Sequence, residues 1–113
     1  MSDDRHDRID RWIDDLDATL VRAESLVARG QDEYRSDPAL PLAFEALSSR
    51  VGELAKRLTA AQPERFDDQI WSQAARNRDF VVHHYDRIDH EALWLTVAVA
   101  FPRLRTTLNE LRH

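Results

Sequence analysis

Cysteine is absent from the 113 residues, which excludes disulfide frameworks, thiol catalysis, thiolate zinc sites and iron–sulfur clusters. Glycine occurs only at Gly30 and Gly52, so no glycine-rich phosphate loop of the Walker or Rossmann type can be built. Lysine occurs once, as Lys56, against 15 arginines. Long apolar runs are also missing. The longest, Ala92 to Phe101, is interrupted by Thr96 and falls far short of the ~20 residues that span a bilayer. The opening residues Met1 to His6 hold no apolar core of a secretory signal, so the cytoplasm is the expected compartment.

What remains is a chain with 42% apolar and 33% charged residues, a balance suited to a packed core under a solvated surface. A chain of this length can bury about two-thirds of its unfolded surface, enough for one core, and a single domain over residues 1–113 is expected. Its apolar residues recur at helical spacing almost throughout. Ile9, Trp12, Ile13, Leu16 and Leu20 mark a first helix from Asp4 to about Arg29, closed by Gly30. Gln31 to Leu40, with Ser36, Asp37 and Pro38, reads as a loop. A second helix runs from about Pro41 to Ala61 on Leu42, Phe44, Leu47, Val51, Leu54 and Leu58. A third begins near Asp67 or Asp68, either of which can cap it, and carries Ile70, Trp71, Ala74, Val81 and Tyr85. In the last segment Leu95, Val97, Val99 and Phe101 alternate as in a strand, but a lone strand would have no partner in this chain. Asp89 and Glu91 suit a helix start, and Leu104, Leu108 and Leu111 continue a helical spacing. Pro102 lacks an amide donor, so a kink or break is expected before it. The expected fold is all-α, an up-and-down antiparallel four-helix bundle with a kinked or broken C-terminal helix.

The 16 basic and 21 acidic residues give a net charge of −5, which by itself ranks nucleic acid low among partners. The charge is unevenly placed. Ser2 to Asp17 holds seven Asp and three Arg, a local −4, leaving −1 for residues 18–113. Arg76, Arg78 and Arg87 bracket one segment, and Arg103, Arg105 and Arg112 give the C-terminal helix a local +2. Both clusters are locally cationic on a net-acidic chain.

That bracketed segment, Arg78-Asp79-Phe80-Val81-Val82-His83-His84-Tyr85, concentrates reactive side chains. On a helix Arg78 and Tyr85 share a face, while His83 lies roughly 140° around from Arg78 and four residues beyond Asp79. Asp79 could accept a hydrogen bond from the His83 imidazole and fix its tautomer. A titratable imidazole beside a permanent guanidinium is the minimum apparatus for metal-free RNA cleavage, with base or acid from His83 and charge stabilisation from Arg78. The same residues also suit a purely structural role, with an imidazole near a helix C-terminus and an amphipathic tyrosine at the core edge.

The segment resembles the Arg-(polar)-x₃-His-x-Tyr signature of the HepT-like branch of HEPN proteins. The resemblance extends upstream to Gly52-Glu53-Leu54-Ala55-Lys56-Arg57-Leu58 and to Ile70-Trp71, where the family usually has Pro-Trp. Downstream, Leu93-Trp94 and Phe101-Pro102-Arg103-Leu104 are similar to its Trp…Leu-Pro-x-Leu tail, so roughly residues 42–110 are covered. The resemblance implies the toxin of a toxin–antitoxin pair, a metal-independent endoribonuclease acting on RNA, with transfer RNA among the candidates. It implies a homodimer in which Arg78 and His83 of both copies line one cleft, supported by Asp79. It also implies a small nucleotidyltransferase as antitoxin, with Tyr85 as the acceptor of the AMP that silences the nuclease. No cofactor and no membrane partner are implied.

The alternative is a non-catalytic nucleotide- or substrate-binding subunit of a nucleotidyltransferase complex, using the same motif as a binding surface. A vestigial helical dimer fits less well, because Arg78, His83 and Tyr85 are all intact. His83, His84 and His90 with Asp86 and Asp89 match no established zinc spacing, so no metal site is expected. Trp12, Trp71 and Trp94 sit on apolar stripes and are expected to pack in the core rather than stack on bases.

Overall fold

The computed structural model of the chain describes residues 2–83 and 88–112, with side chains at all of these except 2, 3, 5 and 80–83. The chain is all-α, an up-and-down bundle, with no strand among the described residues. Its elements are α1 (Ser2–Val27), α2 (Gln31–Ser36), α3 (Ala39–Ala61), α4 (Gln69–His83), α5 (His90–Leu95) and α6 (Phe101–Arg112), with a π turn (Thr96–Ala100) joining the last two.

The boundaries follow local chemistry. Gly30 stops α1 with φ 94°, a backbone geometry that only glycine adopts without strain. Asp68 Oδ1 accepts from the Ile70 amide at 3.0 Å and opens α4. Asp89 Oδ1 accepts from the amides of Glu91 and Ala92 and opens α5. Two details differ from the sequence reading. Residues 31–36, expected as loop, form the short helix α2, because Tyr34 is drawn 1% exposed into the core beside Phe44 and Trp94. Leu42, expected on the apolar face of its helix, is 66% exposed instead.

The expected disturbance before Pro102 takes the form of the π turn. A proline ring in a regular helix collides with the carbonyl four residues back. Here the wider turn over 96–100, in which the Phe101 amide reaches the Thr96 carbonyl, makes room for it and the helix continues. The same turn explains the strand-like alternation. Leu95 and Val99 lie four apart on the outer face, whereas Val97 and Phe101 lie four apart on the inner one.

The core is one continuous cluster running through all the main helices. Ile13, Leu16 and Leu20 from α1 meet Phe44, Val51 and Leu58 from α3. Trp71 from α4 and Phe101, Leu104 and Leu108 from the C-terminal stretch complete it. Trp94 stacks on Phe44 with the rings 10° from parallel, and Trp71 meets Phe66 edge-on. No helix among the described residues is long and apolar enough to cross a membrane.

Candidate active site

The site is built on the packing of α3 against α4. At Gly52 the two helices approach so closely that an added Cβ would overlap the Cβ of Arg78 and lie 2.8 Å from the Ala74 carbonyl oxygen. A glycine in mid-helix ordinarily costs stability relative to alanine. Its presence here lets the Arg78 stem lie flat against α3, with the side chain 26% exposed.

Around Arg78 lies a chain of ion pairs. Its Nη1 donates to Asp79 Oδ1 at 3.1 Å, and its Nη2 stands 3.4 Å from Glu53 Oε2. Lys56 Nζ donates to the same Asp79 oxygen at 2.9 Å, and Arg57 Nε donates to Glu53 Oε1 at 3.2 Å. Three cations face two carboxylates, leaving one net positive charge at the surface. The hydrogen bond from Lys56, and then that from Arg78, holds the Asp79 carboxyl below its ordinary range. The chain's single lysine is therefore spent at this site.

Of the expected site residues, Arg78 and Asp79 are brought together on α4. Asp79 Oδ1 accepts from both Lys56 and Arg78. His83 belongs to α4 by its backbone, five residues beyond Arg78, but its side chain lies outside the described residues. Tyr85 lies outside them entirely, as do His84, Asp86 and Arg87. Among the described residues no group of acidic and histidine side chains could hold a metal ion.

Reading the sequence gave no role to Glu53, Lys56 or Gly52. The signal was there: the one glycine inside a helix, followed at once by an acid and one turn later by the sole lysine. What was lacking was the knowledge that this face of α3 meets α4. The arginines of the C-terminal helix also need correction. Arg105 is bound to Asp17 and Glu24 of α1, and Arg112 to Asp14 and Asp17, so neither is free to enrich a cationic cleft.

Chemically, a guanidinium held by carboxylates can exchange them for phosphate oxygens, which it binds with the same forked geometry. The Ribonuclease HepT-like family model matches residues 16–111, nearly the whole of this framework and all of α3 and α4. The chain belongs to the HepT-like ribonuclease family. Membership makes it a ribonuclease. A protein of Caldanaerobacter subterraneus subsp. tengcongensis named "Putative RNase TTE0752" is similar to it, 26% identical over 100 residues that cover 85% of this chain and 89% of the relative. No solved structure matches the chain.

Proposed function

We propose that this HepT-like chain is a metal-independent endoribonuclease and the toxin of a toxin–antitoxin pair, with Arg78 and His83 as its catalytic residues. The observation that carries the reading is the seating of Arg78 over Gly52, a guanidinium held at the surface of α4 with net positive charge around it. His83, one turn and a half further along α4, supplies the proton transfers. In the cleavage step the 2′-oxygen attacks phosphorus and the bond from phosphorus to the 5′-oxygen breaks, leaving a 2′,3′-cyclic phosphate. One imidazole takes the 2′-hydroxyl proton and another donates to the departing 5′-oxygen, while Arg78 balances charge on the phosphoryl oxygens.

With His83 as the one catalytic imidazole of each chain, two imidazoles imply two copies. Supporting a homodimer, the apolar side chains of Leu95 and Val99 are 58% and 44% exposed and border, with Ile70 and Gln73 of α4, a groove of mixed polarity alongside the motif helix. The whole of residues 1–113 acts as one HEPN-like unit in the cytoplasm, with RNA as substrate and a nucleotidyltransferase as antitoxin. AMP on Tyr85 would place bulk and negative charge near the phosphate site and so silence the enzyme.

The test is cleavage of total RNA or transfer RNA by purified protein in the presence of a chelator. Wild type should cleave, and His83→Ala and Arg78→Ala should each reduce the rate by about 100-fold or more, the scale expected for loss of a proton-transfer group or a transition-state charge partner. Equal activity in wild type and both variants would rule the reading out. Co-expression with the nucleotidyltransferase should add AMP mass to the wild type and none to Tyr85→Phe.

A further inference from the structure

We infer that the chain holds a pyrimidine base of its RNA in a small cavity between α3, α4 and the start of α5. The inference rests on the ribonuclease reading above and adds a specificity pocket to it. The cavity measures about 160 Å³ and lies between Ser48 of α3, Asn77 of α4 and residues Asp89, Ala92 and Thr96. Ile88 and Leu93 supply further apolar wall. An engineered protein cavity of about 150 Å³ takes up benzene, so this is room for one six-membered ring.

One residue of the cavity wall, Ser48, carries an unspent polar group. Ser48 is 1% exposed, yet its hydroxyl has no hydrogen-bond partner among the described residues. Buried hydroxyls are nearly always paired, and an orphan calls for a reason. The ordinary solution inside a helix is a bond to the carbonyl four residues back. Thr19, Thr59, Thr96 and Thr106 of this chain all adopt it, and Ser48 does not. Beside it, the half-buried Asn77 brings a carboxamide that offers a donor and an acceptor together. A hydroxyl, a carboxamide and apolar walls around a ring-sized space match a pyrimidine, whose edge presents donors and acceptors and whose faces are apolar.

Position links the cavity to the catalytic arginine. Ser48 lies four residues before Gly52, so the two share a face of α3 with their positions about 5–6 Å apart. Gly52 is where the Arg78 stem rests, and Asn77 precedes Arg78 on α4. On this proposal the phosphate sits at Arg78 and the base of the same nucleotide one helix turn along α3, at Ser48.

The experiment titrates the full chain with CMP, UMP, AMP, GMP and base-free ribose 5-phosphate, followed by backbone amide NMR. At least one pyrimidine nucleotide should bind about 10-fold more tightly than ribose 5-phosphate and than either purine, moving the amides of Ala92 and Leu93. Ser48→Ala and Asn77→Ala should each remove most of that preference, and Ala92→Leu, which fills the space, should do the same. Purines binding as tightly as pyrimidines, binding no better than ribose 5-phosphate, or a preference unchanged in all three variants would overturn the pocket. RNA cleavage by the wild type is measured alongside. Selective binding without cleavage keeps the pocket and removes the nuclease reading, whereas cleavage without selective binding does the reverse.

Discussion

A methyl group at position 52 would collide with the Arg78 stem and press on the Ala74 carbonyl. On an ordinary helix Gly→Ala stabilises by roughly 0.5–1 kcal/mol. Here overpacking typically costs about 1–3 kcal/mol, so Gly52→Ala should lower Tm by at least about 4 °C. It should also impair RNA cleavage, because Arg78 or α4 must move. A thermal melt decides the sign, and a raised Tm would mean that the helices do not meet there. Asp79 makes a second prediction at this scale. Lys56 and then Arg78 depress its carboxyl, so the folded form titrates lower than the unfolded one. The stability this contributes is therefore present above the ordinary carboxylate pKa and is lost as pH falls through the lowered value. Lys56→Met should flatten that acid limb of a Tm–pH profile. Because the pair is exposed, Tm near neutrality should change little.

Among the elements, α2 is six residues long and too short to persist alone, so its helix depends on what Tyr34 reaches. The ring lies 4.7 Å from Phe44 and 5.2 Å from Trp94, and the hydroxyl donates to the His90 carbonyl at 2.6 Å. That bond ties the α1–α3 connection to the first turn of α5, directly beside the proposed base cavity. Tyr34→Phe should cost about 1 kcal/mol, the usual net worth of such a bond. It should also change the alkaline behaviour. Burial, aided by Glu91, Glu45 and Asp89, pushes the Tyr34 hydroxyl up to about 12. A raised folded-state value means that its contribution is complete below the ordinary tyrosine pKa and disappears as pH rises through about 12. Wild type should accordingly lose Tm more steeply above pH 10 than the Phe variant does.

Across the whole molecule, the basic α6 offsets part of the charge of the acidic α1. Arg105 lies 3.0 Å from Asp17 and 3.2 Å from Glu24, and Arg112 lies 2.8 Å from Asp14. Asp14, Asp17 and Glu24 of the first helix are thus internal counter-charges to the C-terminal helix, and the surface near α4 keeps its own small positive balance. Arg105→Ala should lower stability by about 1 kcal/mol or less, as partly exposed pairs do. It should leave RNA affinity and its salt dependence unchanged. Arg78→Ala should instead reduce the slope of log Kd against log salt for single-stranded RNA by about 0.7, the value of one lost phosphate contact. Binding titrations across a salt series separate the two. Equal slopes for wild type and Arg78→Ala would show that Arg78 makes no phosphate contact.

The sequence alone determined the helical class, the main helices to within a few residues, and most of the core, because these depend on spacing and on local chemistry. Periodicity sets which face of a helix is apolar, and Gly30, Asp68 and Asp89 act within a few residues of where they stand. Even the strand-like alternation at 95–101 yielded to the absence of any partner strand. Only the tertiary structure decided what lies across from each face. It turned the first six residues of the expected loop into a helix around Tyr34, showed Gly52 to be the seat of Arg78, and assigned Lys56 to Asp79 and Arg105 to α1. It also placed the unpaired Ser48 hydroxyl opposite Asn77 around one small cavity. Those residues are 29 positions apart in the chain, and no local pattern relates them. Their meeting is set by how closely α3 and α4 approach, which one glycine controls.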